Sequence, residues 1–358
     1  MKSLYNLLLL SFFLVPHFAA ASQYSYQLVG KGFAVPWGLA FPDKDTVLVT
    51  ERNGGIKKLT ISNGSIKTQP TVDKIYTRGQ GGLLDIAVIS DKAFLTYSKS
   101  TPQGAATALA YSTLKQSSLT EWTDIFVSKS TSNTARHFGS RIAFDGKGHV
   151  FISIGDRGDR PNGQDTANHA GSILRLNLDG STPSGNPYVD DASVLDEIWS
   201  FGHRNPQGLF YDSKTGDLWS IEHGPRGGDE VNLILEGANY GWPITSHGKE
   251  YWGPLDAADH QEKEGIESPR KVYIPSIAPS NILLYRGERY PSLNGKLVAG
   301  ALKLTHLNIL TLDNKKNIVD EQRIAEELGE RIRDVELSPD GFIYFSTDRG
   351  NIYRLVEN

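Results

Sequence analysis

From Glu197 to Pro243 the chain reads EIWSFGHRNPQGLFYDSKTGDLWSIEHGPRGGDEVNLILEGANYGWP. Short apolar runs at residues 198–201, 218–222 and 231–234 alternate with loops dense in Gly, Pro, His, Arg, Asp and Asn. Such runs predict strands, and loops of this kind on a strand scaffold are where binding and chemistry concentrate. A phrase of strand, Asp-containing turn, strand, then an acidic or Gly-rich loop recurs at residues 35–59, 142–156, 209–222 and 335–355. In the first copy the strands fall at 38–41, 46–50 and 56–59, with an Asn-Gly-Gly turn that is a strong hairpin signal. Helical pattern is nearly absent: residues 324–328 are too few and 313–321 too polar.

Repeated antiparallel units with insertions between them predict an all-β fold, a β-propeller. At about 40–50 residues a blade, residues 22–358 accommodate about six blades. A large β-sandwich, or two, is the alternative; phrases repeated at both chain ends favour a closed ring. No Pro- or Ser-rich linker divides residues 22–358, so they are expected to form one unit. Residues 1–21 have the form of a secretory signal peptide, with Lys2, an apolar run over 7–15 and small residues at Ala19, Ala20 and Ala21. That run is too short to span a bilayer. The expected location is therefore periplasmic or secreted, without membrane insertion.

Composition adds exclusions. The net charge is −4 and no basic run occurs, so there is no nucleic-acid footprint. Cysteine is absent, which removes disulfides, thiolate chemistry and a lipid-anchor cysteine. Stability must come from the core, and 358 residues are enough to build one.

Several residues stand out as candidates. His137 precedes the second repeat and is a potential base near neutral pH. Asp156 ends the same expected hairpin and could orient its imidazole. Arg204 and Asn205 precede Pro206, which favours an extended chain there. Gly224-Pro225 leaves carbonyl oxygens accessible, and these are hard-cation ligands; Asp229, Glu230 and Tyr240 are candidates for a second cation site. Arg331 and Arg333, two apart, point to one face of a strand and would suit an anion held between them. Lys303 interrupts an apolar run, which reads as a buried, paired lysine or as the polar face of a strand. Gln80 sits in a Gly-Gly turn, and Tyr251 with Trp252 lies in a loop where aromatics stack on a planar group or simply pack. Each has an ordinary structural reading when taken alone. Together they predict an anionic organic cofactor beside a divalent cation.

The phrases GQGGLLDIAV, RHFGSRIAFD, FISIGDRG, GHRNPQGL, EHGPRGGDEVNLI, NYGWP, SIAPS and RIRDVELSPDG resemble the soluble quinoprotein sugar dehydrogenases of the glucose/sorbosone dehydrogenase family. The resemblance runs from about Val35 to Leu355. It implies a six-bladed propeller of four-stranded antiparallel blades that carries pyrroloquinoline quinone (PQQ) and Ca2+ at one mouth. It implies oxidation of an aldose sugar to an aldonolactone, with electrons passed to an unidentified external acceptor. His137 would be the base and Asp156 its support. Arg204 and Asn205 would lie at the quinone's reactive edge. Gly224 and Pro225 would bind the calcium that bridges to PQQ. Lys303, Arg331 and Arg333 would hold its carboxylates, Gln80 and Ser276 would make smaller polar contacts, and Tyr251 would touch the cofactor. Glu230 and Tyr240 would form a structural calcium site. The chain departs from the glucose-specific branch at Arg136 and His223 and lacks several of its long loops. These departures imply the broader aldose branch, and a monomer rather than a tight dimer. The alternatives are a calcium-dependent lactonase-type hydrolase and a non-catalytic binding propeller.

Overall fold

The computed structural model describes residues 23–358; the signal-peptide expectation for 1–21 lies outside the described residues. The described chain forms six antiparallel sheets of four strands each. Five follow chain order, over residues 36–68, 83–127, 142–201, 206–273 and 279–324. The sixth takes three strands from residues 332–357 and its fourth from Tyr24–Lys31. That strand pairs antiparallel with Asn351–Glu357, from Tyr24 opposite Glu357 to Lys31 opposite Asn351. The two ends of the described chain thus fasten one blade, and a sheet edge that would otherwise be open is covered. Among the described residues the only helical segments are three short 3-10 turns, and no helix is long and apolar enough to cross a membrane.

The innermost strands are Pro36–Asp43, Leu83–Ile89, Ile142–Phe144, Pro206–Asp212, Pro279–Leu284 and Ile332–Leu337. Each packs against the next, and the last packs against the first. Being covered on both faces, they are buried over most of their length rather than on alternate residues. This closed ring is the six-bladed, four-stranded propeller expected from the sequence. The expected strands agree closely with those observed: residues 46–50 lie in Thr46–Glu51, 218–222 in Asp217–Glu222 and 231–234 in Asp229–Ile234. The polar stretch 313–321, too polar for a helix, contributes to the outer strand Ile318–Ile324.

Arg141 closes the centre. It is 1% exposed, and its guanidinium reaches all of the other five blades. It donates to Asp85 Oδ1 (3.0 Å), Asp334 Oδ1 (2.8 Å) and the carbonyls of Gln207 (2.7 Å), Ser280 (3.2 Å) and Arg333 (3.0 Å). Its carbon centre lies 4.1 Å from the Trp37 ring, on the first blade. An unpaired buried charge would be costly; here two carboxylates and three carbonyls compensate it. This polar plug divides the axis into two cavities. One holds the candidate site. The other, lined by Phe41, Phe144, Phe210, Leu283 and Glu336, opens on the opposite side.

Candidate active site

The hairpin of Ile142–Phe144 and His149–Ile154 is registered with Ile142 opposite Ile152. Residues just before its first strand and just after its second therefore meet at one end. There His137 Nδ1 lies 2.6 Å from Asp156 Oδ1. His137 has φ of 54°, and its backbone N–H donates to Gln80 Oε1 (2.7 Å), so Gln80 anchors the histidine's main chain. Asp156 also accepts from Gly158 N–H (2.6 Å) at Oδ1 and from the Trp242 indole N–H (2.8 Å) at Oδ2. With Nδ1 turned to the carboxylate, the neutral imidazole carries its lone pair on Nε2, which has no hydrogen-bond partner among the described residues.

Burial pushes the His137 pKa below its ordinary value; Asp156 pulls it up, and Arg204 and Arg136 push it down again. Burial disfavours the Asp156 carboxylate, but the bond and charge of His137, the Gly158 N–H and Arg204 outweigh it and hold its pKa below the usual range. The pair therefore rests as neutral imidazole and carboxylate at neutral pH, the state a base requires.

Beside this pair is a cavity of about 610 Å³, open space at its mouth included, lined in part by Trp37, Arg52, Gln80, Asn205, Arg331 and Arg333. Arg331 and Arg333 share one carboxylate, Asp348, at 2.8 Å from each Nε. Ile332 pairs with Thr347, which sets Asp348 next to both arginines. The expected anion between the two guanidiniums is therefore already present as a side chain, and the trio keeps one net positive charge. Arg52, on the first blade, lines the same cavity and has no acidic partner among the described residues.

Lys303 corrects the expectation of a buried, paired lysine. The strand ends at Ala301, and Lys303 falls in the bend that follows, exposed and without an ion-pair partner among the described residues. Its N–H bonds the Ile277 carbonyl at 2.9 Å, and its neighbour Leu302 lines the cavity. Ser276 donates to Asp229 Oδ1 (2.6 Å). Tyr251 and Trp252 are 64% and 74% exposed and do not line the cavity.

The Gly224-Pro225 turn is held by Asp229, which accepts from Gly224 N–H (3.0 Å) and Ala278 N–H (2.8 Å) as well as from Ser276. A side chain at Gly224 would collide with the Gly228 carbonyl, so the turn demands glycine. Neither the Gly224 nor the Pro225 carbonyl accepts a hydrogen bond from a described residue. Asp229 and Glu230 are adjacent in a strand and face opposite ways. Asp229 therefore clasps the turn and is not part of a joint site with Glu230. Glu230 faces Glu222; burial, then Glu222, push its pKa up to about 8. Asn232 Oδ1 is buried there without a partner. Tyr240 stacks on His203 at 4.7 Å and has its hydroxyl engaged by Leu233 and Leu235. Among the described residues no three His, Asp or Glu side chains converge as a metal cluster, so carbonyl oxygens are the donors the first cation position offers.

Arg204 donates to the His223 carbonyl (3.1 Å) and lies over Trp242, while Asn205 Oδ1 accepts from Gly139 N–H (3.3 Å). Thus His137, Asp156, Arg204, Asn205 and Gln80 converge. Trp37, Arg52, Phe138, Asp348 and Trp242 are site residues that motif reading did not single out.

The closed propeller thus carries a histidine–aspartate pair beside a cavity lined by arginines. The glucose/sorbosone dehydrogenase family model matches residues 33–354, and the chain belongs to that family. It is 36% identical to the aldose sugar dehydrogenase YliI of Escherichia coli over 358 residues, covering 95% of this chain and 96% of that one. The structure of soluble aldose sugar dehydrogenase from Escherichia coli in its apo form aligns with a TM-score of 0.88 at 34% identity, covering 94% of this chain and all of that one (100%). The PQQ-bound aldose sugar dehydrogenase of Streptomyces coelicolor aligns with a TM-score of 0.75 at 25% identity, covering 94% and 99%.

Proposed function

We propose that this protein oxidises aldose sugars at the anomeric carbon to aldonolactones, using PQQ and calcium and passing electrons to an external acceptor. The observation that carries the reading is the His137–Asp156 pair next to a cavity that His137's neighbours Phe138 and Gly139 line together with Arg52, Arg331 and Arg333. The donor set fits the cofactors. Guanidiniums and amides suit a planar polycarboxylate, and the unengaged Gly224 and Pro225 carbonyls suit a hard cation. Arg331 and Arg333, with Asn205, Gln80 and, at the periphery, Lys303, Ser276 and Tyr251, would hold the quinone. Gly224 and Pro225 would hold its calcium, and Glu230 and Tyr240 a second ion. Bound PQQ would supply hydride acceptance, and bound calcium would polarise it.

The chain's own part is proton and charge handling. His137 Nε2 takes the proton of the anomeric hydroxyl as the C–H bond gives up its hydride, so sugar carbon is oxidised and lactone forms. Asp156 fixes the tautomer and supports the imidazolium that results. Arg204 lies beside the pair and favours negative charge developing on oxygen. A lactonase-type hydrolase or a binding propeller would have no use for the cationic wall. We also propose export, on the form of residues 1–21, and a monomer.

The test is an aldose deuterated at C1, with PQQ, calcium and an artificial acceptor. The reading expects a primary isotope effect on acceptor reduction and an aldonolactone product. Lactone hydrolysis without acceptor reduction would refute it.

A further inference from the structure

Asp156 has two carboxylate oxygens with different duties. Oδ1 takes His137 Nδ1 and Gly158 N–H. Oδ2 takes a single bond, from the Trp242 indole N–H at 2.8 Å. Both residues are buried, so water does not stand ready to replace that donor. Trp242 is itself held hard. Its backbone N–H donates to the Gly202 carbonyl (2.9 Å), and its carbonyl accepts from Gln164 Nε2 (2.8 Å). Gly163 sits against it, where any side chain would collide with the Trp242 carbonyl. Its ring lies 5.3 Å from the Arg160 guanidinium and 5.4 Å from that of Arg204. Arg160 is in turn clamped bidentately by Glu250 at 2.7 and 2.8 Å.

We propose that Trp242 is a positioning residue for the base, setting the orientation and basicity of Asp156 and, through it, the imidazole of His137. This rests on the reading of His137 as the base. The physical reasoning is short. A carboxylate with donors on both oxygens cannot swing, so the direction of the bond to Nδ1 is fixed, and so is the aim of Nε2. The indole donor also withdraws charge from Asp156. Without it the carboxylate holds a proton-bearing imidazole more tightly, and His137 becomes a more basic but less well aimed base. The other charges facing the pair are Arg136, Arg157, Arg160, Arg204 and His223, all of which remain in a variant at position 242.

Trp242→Phe removes the N–H and keeps most of the ring. Benzothienylalanine at position 242, with sulfur in place of N–H, preserves the bicyclic shape if the phenyl variant folds poorly. Two readouts are taken. In apoprotein, the His137 ring resonances are titrated by NMR; the midpoint is expected to move to higher pH. In loaded enzyme, kcat is expected to fall about 10- to 100-fold with KM little changed, as a small misaim of a reacting group produces. In an Asp156→Asn background the same replacement should add little further loss. An unmoved midpoint together with kcat within twofold of the parent would overturn the proposal. A moved midpoint in a protein that oxidises no sugar would leave Trp242 as the positioner of His137 and remove the proposed reaction instead.

Discussion

His137 Nδ1 and Asp156 Oδ1 lie 2.6 Å apart across the open end of one hairpin, 19 residues apart in sequence. Nε2 is thereby left as the only free nitrogen of the ring. Since burial holds the His137 pKa below its ordinary value, protonation is resisted in the folded state. The acid limb of kcat/KM should therefore fall below the ordinary histidine range, with a plateau already reached at neutral pH. Activity is lost only as pH drops through that lowered value. His137→Ala should cost about 10²- to 10⁴-fold in kcat while PQQ still binds. A pH–rate profile and a binding titration of the variant check both statements.

Arg52 carries the second prediction. Arg331 and Arg333 share Asp348, whereas Arg52 faces the cavity without a carboxylate. Arg52→Gln should weaken PQQ binding by about 10- to 100-fold, the usual scale for a hydrogen bond to a charged group. Quenching of intrinsic tryptophan fluorescence on titration with PQQ measures it. Unaltered affinity would take Arg52 out of the cation wall.

A third prediction concerns the plug. Arg141→Ala would leave Asp85 and Asp334 buried beside each other without their cation. Stability should fall by about 3–5 kcal/mol in urea unfolding. Arg141→Met together with Asp85→Asn and Asp334→Asn should recover part of the loss.

Glu336 lines the far cavity, and burial, then the charge of Asp334, push its pKa up to about 8. A raised folded-state pKa means that the stabilising contribution is present below the unfolded value. It is lost as pH rises through about 8. Glu336→Gln should therefore gain in Tm relative to the parent between pH 6 and about pH 9. Equal Tm differences across that range would contradict the assigned environment.

How much of this was legible in the sequence follows from distance along the chain. The His137–Asp156 pair could be read because a hairpin makes it local. The Arg331–Arg333 face could be read because strands alternate. The propeller could be read because its turn phrases repeat. The blade at residues 83–127 was less visible, since its long strands are rich in Ser, Thr and Ala and its single Asp turn at Asp91 lacks the glycine that marks most of the other copies. Arg141 carried no signal of its own in the sequence; its partner Asp334 lies 193 residues away, and only ring closure brings them together. Lys303 was misjudged because an apolar neighbourhood in sequence continued past the strand's end at Ala301. Trp242 was read only as part of a phrase, because its partner Asp156 is 86 residues away.

The most direct measurement is reconstitution of the purified protein with PQQ and Ca2+. The account predicts saturable binding seen as a changed absorption spectrum, followed by reduction of that spectrum on adding an aldose, both abolished by Arg333→Ala. A spectrum of free PQQ that neither the protein nor the sugar alters would contradict it.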